Sequence, residues 1–226
     1  MTTRRRPSPR SYADHAVTAR TIDHVALWVA ERDAIAERLI AELGMHTIER
    51  TDRFTLLGAD ARRFKLTLFD EVGPRQQGAL KHVTLRVNDG EESSHDVGEG
   101  LTVNVVRAYT EVDYDLDHVA LYSSDPEATA REYLSLGFNE AEPRDGVPRV
   151  ELGGAYLEFH DGDPTEPERP LLNHVAVLVD RAEDAKELPA EVADVVDAPN
   201  TYAVFVWGPE RVKIEYVEHK PTFSLV

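Results

Sequence analysis

The stretch Leu116–Ser124, LDHVALYSS, decides the fold. It reads as a buried strand with one misfit, His118. The phrase recurs as IDHVAL from Ile22, LKHVTL from Leu80 and LNHVAV from Leu172, so four of the nine histidines hold the same place in a repeated strand. These histidines, 24, 82, 118 and 174, are 58, 36 and 56 residues apart. Self-similarity at such a period marks a fold built from duplicated units.

Working outward, the strand at Ile22 runs into a helix-period stretch. Ile35, Leu39, Ile40 and Leu43 form its apolar stripe, and Gly44 stands where a helix C-cap belongs. The strand at Leu116 behaves alike. Ser124 or Asp125 serves as N-cap, Pro126 takes the first helical position, and Gly137 ends the helix. Three short strands follow each helix: MHTIERT, RFTLLGAD and FKLTLFD in one case, FNEAEPRD, PRVELGG and AYLEFHD in the other. The unit at Leu172 has a weaker helix, RAEDAKELPAEV, then the strands TYAVFVW and RVKIEYV around Gly208-Pro209. The unit at Leu80 is too short. Its would-be helix, DGEESSHDVGEG, is polar and glycine-rich and reads as a loop.

The expected fold is α+β: tandem βαβββ modules forming two cupped, barrel-like mixed sheets with helices outside. The expected division is a disordered basic tail at 1–20, an N-terminal module pair at 21–115 and a C-terminal pair at 116–226. The N-terminal pair, with its eroded second module, is expected to hold no metal. The C-terminal pair is expected to carry the site.

Composition narrows the function classes. Twenty-five basic against 42 acidic residues give a net charge of −17, which repels nucleic acid and anionic membrane. No run of eighteen apolar residues occurs, so no membrane span is expected. MTTRRRPSPR has charge but no apolar segment behind it, unlike a secretory signal. There is no cysteine, which excludes disulfides, thiolate metal sites and a cysteine nucleophile. A cytoplasmic location is the default expectation, and assembly into a homo-oligomer is left open.

Chemistry is sought on the last strand of each unit. Glu158 in AYLEFH lies 40 residues after His118, and Glu215 in VKIEYV lies 41 residues after His174. Side chains alternate faces along a strand, so each glutamate points opposite its apolar neighbours. A carboxylate facing inward is costly unless it is paired or bound to a metal. Two histidines with one or two glutamates suit non-haem Fe(II), and also Mn(II), Ni(II) or Zn(II). In the first unit Thr67 stands where Glu215 would be, and the second unit lacks the strand. His24 and His82 are therefore read as structural, and the metal is expected in the C-terminal half. His160, two residues from Glu158, shares its face as an acid–base or supporting group.

From Thr21 to His219 the chain resembles the vicinal oxygen chelate superfamily, which includes glyoxalase I, bleomycin-resistance proteins and type I extradiol dioxygenases. The resemblance rests on the four histidine-valine strand starts, the helix SSDPEATAREYLSLGF and the ending GPERVKIEY. Four modules with one metal resemble the extradiol dioxygenases, which implies His118, His174 and Glu215 as Fe(II) ligands and a catechol-like small-molecule substrate. Glu158, His160 and Tyr202 are the implied catalytic groups. Tyr122, Arg149 and Trp207 are candidate substrate contacts. The dioxygenase signature before the glutamate departs here: Phe205 holds its tyrosine position, and 196–198 contain no histidine. A two-histidine, two-glutamate set would instead resemble glyoxalase I, a metal-dependent lyase. A third reading is a non-enzymatic binder.

Overall fold

The computed structural model describes residues 17–59 and 63–224. Most of the expected basic tail lies outside these residues, but its end does not. Val17 is buried and the first strand already includes Ala19 and Arg20, so 17–20 belong to the fold.

The elements in chain order are β1 (Ala19–Val29), α1 (Arg32–Leu43), β2 (His46–Arg50), β3 (Phe54–Gly58), β4 (Lys65–Asp70), β5 (Leu80–Val87), β6 (Ser93–Gly98), β7 (Leu101–Arg107) and β8 (Asp115–Ser123). They continue with α2 (Pro126–Leu134), β9 (Asn139–Arg144), β10 (Val147–Leu152), β11 (Ala155–Asp161), β12 (Leu172–Val179), β13 (Glu191–Asp197), β14 (Thr201–Trp207) and β15 (Lys213–His219). The expected end of α1 and start of α2 form, whereas α2 stops at Leu134 with Ser135 as C-cap, ahead of Gly137. Gly44 takes the left-handed C-cap conformation at φ 70°, and Asp125 accepts a hydrogen bond from the Ala128 amide beside Pro126.

The two weak units hold surprises. DGEESSHDVGEG is partly strand, since it contains β6, and the second unit keeps a last strand, β7, parallel to β5. The fourth unit replaces its helix with a 3-10 turn at Ala182–Glu187, and β13 starts inside the stretch expected to be helical.

Among the described residues, fifteen strands form two mixed sheets. The eight-stranded sheet runs β13-β14-β15-β12-β1-β4-β3-β2, and the seven-stranded sheet runs β6-β7-β5-β8-β11-β10-β9. The first module therefore pairs with the fourth, and the second with the third. This corrects the expected grouping at 21–115 and 116–226. The reason lies in the two connections between sheets. The segment after β4 and the segment before β12 pair with each other, through Gln76 N to Arg169 O (2.9 Å) and Leu171 N to Gln76 O (2.7 Å). The fourth module is thereby delivered beside β1, where the Trp28 amide donates to Leu171 O at 2.8 Å.

Alternation then separates two functions. On β1, His24, Ala26 and Trp28 face the concave side, while Val25, Leu27 and Val29 face away and are fully buried. The apolar faces of both sheets join into one core with Leu39 of α1 and Tyr133 of α2. Tyr216 of β15 donates from its hydroxyl to Leu136 O at 2.6 Å, tying the eight-stranded sheet to the end of α2.

Candidate metal centre

The histidines meet because the first strands pair. β1 and β12 run antiparallel with His24 opposite Ala176 and Ala26 opposite His174. The two Nε2 atoms are 3.1 Å apart. β15 runs parallel to β12 with Glu215 opposite Ala176, which brings the carboxylate to the same point. Glu215 Oε2 is 2.9 Å from His174 Nε2 and 3.2 Å from His24 Nε2. Among the described residues, His24, His174 and Glu215 form a group able to hold a metal ion, with all donor atoms within 4.8 Å of one another.

The donor set passes a fit test for a divalent metal. His24 Nδ1 lies 2.8 Å from Asp23 Oδ2, and His174 Nδ1 lies 3.2 Å from the Asn173 side-chain oxygen. Each imidazole therefore donates outward from Nδ1 and turns its Nε2 lone pair inward. Two lone pairs and a carboxylate aimed at one point require a cation or a proton between them. The three donor atoms, 2.9, 3.1 and 3.2 Å apart, are close enough together to share one divalent ion.

The surroundings hold this group in place. Lys65, fully buried on β4, donates from Nζ to Asp23 Oδ1 at 2.8 Å. Burial opposes the charge on Asp23, but hydrogen bonds from His24 and Lys65 outweigh it and bring its pKa down to about 2. Burial likewise opposes a proton on His24, yet Asp23 and Glu215 raise its pKa to about 9. Burial lowers the pKa of His174, and the neighbouring His24 and Lys213 add to that effect. Burial also works against the Glu215 carboxylate, but His174 and His24 hold it ionised far below the usual range. Without a metal, a proton on His24 takes the cation's place.

The centre opens into a cleft of about 960 Å³, within the range of small-molecule sites. Trp28, Phe54, Phe69 and Phe205 supply aromatic walls, and Arg53 and Lys213 supply positive charge. His219 also lines it, 3.8 Å from Asp23 and stacked on Phe223 at 3.6 Å between ring centroids. Burial lowers its pKa, keeping the imidazole neutral near pH 7.

The structure divides the ligands expected from sequence. His174 and Glu215 lie together with His24, not with His118. His118, Glu158, His160 and Arg149 lie in the seven-stranded sheet, where Arg149 Nη1 and His160 Nε2 each approach Glu158 at 3.7 Å. Tyr122 stands opposite His160 on the same face. Trp207 lines a separate small cavity of about 100 Å³ under the Arg211 guanidinium, 4.1 Å from its ring. Tyr202 is elsewhere: alternation on β14 turns Phe205 toward the centre and Tyr202 away, onto Glu183 and Lys186 of the 3-10 turn. Sequence reasoning missed Asp23, His24, Lys65, Asn173 and His219. The repeated Asp-His pair at 23–24 and 117–118 was the available signal.

No protein-family model and no curated protein matches this sequence. Solved structures match it in fold. Glyoxalase I from Zea mays is 15% identical, with 89% of this chain and 92% of that one covered at a TM-score of 0.67. A protein from Bacillus subtilis subsp. subtilis str. 168, provisionally named a dioxygenase, is 15% identical over 91% and 87% of the chains at 0.65. The cppA protein from Streptococcus pneumoniae TIGR4 is 13% identical over 89% and 100% at 0.57. The chain has the vicinal oxygen chelate fold, with two curved sheets and few helices.

Proposed function

We propose that this protein is a divalent-metal-dependent enzyme of the extradiol dioxygenase type, acting on a catechol-like small molecule in the cleft of the eight-stranded sheet. One observation carries the reading. The ligand set is two histidines and a single carboxylate, because Thr67 stands opposite Ala26 where Glu215 stands opposite Ala176. Such a set leaves positions open for two vicinal oxygens and a further small ligand, and Fe(II) suits it best. A bound metal would orient those oxygens and stabilise negative charge on them.

The chain's own groups supply the rest. Asp23 and Lys65 fix the ring of His24, and Asn173 fixes that of His174. Phe54, Phe69 and Phe205 offer flat surfaces for an aromatic ring. His219, neutral at physiological pH, accepts a proton from a substrate hydroxyl. It serves where the family signature would place a histidine that 196–198 lack. A glyoxalase-type lyase needs a second carboxylate as base beside the metal. Its sequence candidate, Glu158, lies on β11 in the other sheet, which weighs against that alternative.

Anaerobic reconstitution with Fe(II), followed by oxygen uptake over a panel of catechols, tests the reading. Uptake that disappears in Glu215→Gln and His24→Ala is the expected result. No uptake with any diol, together with hemithioacetal isomerisation under Ni(II) or Zn(II), would replace it with the lyase.

A further inference from the structure

The seven-stranded sheet repeats the strand register of the first cup, though Glu158 closely approaches only His118 where Glu215 reaches both of its histidines. β5 runs antiparallel to β8 with His82 opposite Ala120 and Thr84 opposite His118, the register by which β1 meets β12. The Nε2 atoms of His82 and His118 are 3.2 Å apart, as those of His24 and His174 are 3.1 Å apart. His118 Nδ1 lies 2.7 Å from Asp117 Oδ1, and Arg144 donates to the same oxygen at 3.0 Å. Arg144 thus does for Asp117 what Lys65 does for Asp23. Glu158 stands opposite Ala120 on the parallel strand β11, matching Glu215 opposite Ala176.

Glu158 lacks what a buried carboxylate needs. It is 4% exposed, and its Oε1 has no hydrogen-bond partner. Arg149 Nη1 comes no closer than 3.7 Å to that oxygen. Oε2 is 3.4 Å from His118 Nε2, whose proton is committed to Asp117 on the far side of the ring. His118 Nε2 can accept from His82 Nε2 at 3.2 Å, but Glu158 receives no hydrogen bond on Oε1, and Arg149 and His160 come no closer than 3.7 Å, a costly arrangement for a buried carboxylate.

We propose that His82, His118 and Glu158 form a second divalent-metal centre, separate from the first and independent of the reaction assigned to it. Two imidazole nitrogens and one carboxylate suit Fe(II), Co(II), Ni(II) or Zn(II) over Mg(II) or Ca(II). The site is weaker than the first. Its carboxylate stands back, at 3.4 Å from the nearer histidine against 2.9 Å for Glu215, and two cations border the cup. One is Arg149. The other is Lys81, which donates from Nζ to His160 Nδ1 at 3.0 Å. That bond leaves the His160 proton on Nε2, 3.7 Å from Glu158 and without a hydrogen-bond partner, so His160 is not a ligand.

Titration of the chelator-stripped full chain with Co(II), read by visible absorption and by calorimetric stoichiometry, tests this. Two equivalents are expected, the second at least tenfold weaker. Glu215→Gln retains only the weak equivalent, His118→Ala only the tight one, and the double variant neither. Should His118→Ala fail to fold, as read by circular dichroism, Glu158→Gln replaces it. A single equivalent unaffected by Glu158→Gln overturns the second centre. If the single equivalent is lost in Glu158→Gln but kept in Glu215→Gln, the second centre stands and the first cup's assignment fails. Binding of no metal at all overturns both.

Discussion

Replacement of Lys65 by Met tests the support behind His24. Lys65 is 2% exposed and Asp23 5% exposed, with Nζ 2.8 Å from Oδ1. Methionine fills nearly the same volume without the charge, so the loss is electrostatic. Breaking a buried ion pair from one side costs about 3–5 kcal/mol, because the remaining charge is left unpaired. Asp23 keeps its other oxygen on His24 Nδ1 at 2.8 Å, which places the cost at the lower end, about 3 kcal/mol. For a chain of this size that is a fall in Tm of about 6–12 °C. Urea denaturation of the variant, alongside Asp23→Asn and the double substitution, measures it. The double variant removes both charges and recovers about 2 kcal/mol relative to the single changes combined. A second readout separates positioning from bulk stability. With His24 less firmly oriented, metal affinity at the first centre falls about 10- to 100-fold. A loss below about 1 kcal/mol, or a double variant no better than the sum of its parts, would refute the argument.

The pKa shifts make stability pH-dependent. His24 is raised to about 9 in the fold, so its contribution is complete below the unfolded value near 6.5 and is lost as pH rises through 9. Asp23 is depressed to about 2, so its contribution is present above about 4 and is lost as pH falls toward 2. The urea midpoint of metal-stripped protein should fall between pH 7 and 9.5, and His24→Gln should flatten that limb. His219→Gln should leave Co(II) binding at the first centre unchanged while lowering turnover and removing an acid-limb pKa from its pH profile. Glu99, at φ 51°, accepts from the amides of Ala30 at 2.8 Å, Glu31 at 2.7 Å and Arg75 at 3.1 Å. Glu99→Ala strips these caps and should cost about 1–3 kcal/mol in denaturation, with faster hydrogen exchange at the start of α1.

The modules were legible because their signals are local. A histidine on one face and valine on the other, Pro126 at a helix start and Gly44 at a helix end all act within a few residues. Strand partners are not local. Nothing near His174 says that its neighbour is His24 and not His118, since all four strands carry the same phrase. Thr67 stands opposite Ala26 where Glu215 stands opposite Ala176, so the first module has no glutamate of its own at that position. Glu215 reaches His24 of the first module as well as His174 of its own, whereas Glu158 closely approaches only His118. A histidine without its own glutamate can thus share that of a neighbouring module.

The residue before each histidine narrows the pairing without deciding it: it disfavours joining the first module to the third, but allows the first with either the second or the fourth. Asp precedes histidine in the first and third modules, whereas Asn173 and Lys81 precede it in the fourth and second. Each cup combines one strand of either kind. The aspartate supplies a charged partner for one imidazole and recruits a buried or half-buried cation, Lys65 in one case and Arg144 in the other. Two Asp-His strands in the same cup would bring two such ion pairs together and leave the other cup with none. Pairing of the first module with either the second or the fourth avoids that, and the hydrogen bonds between the two connecting segments at Gln76 and Leu171 favour the fourth. Both cups rest on one shared apolar core, yet no ligand of one contributes a donor to the other. A ligand substitution in one cup should therefore change overall stability as any buried polar substitution would, while leaving the metal affinity of the other cup as it was.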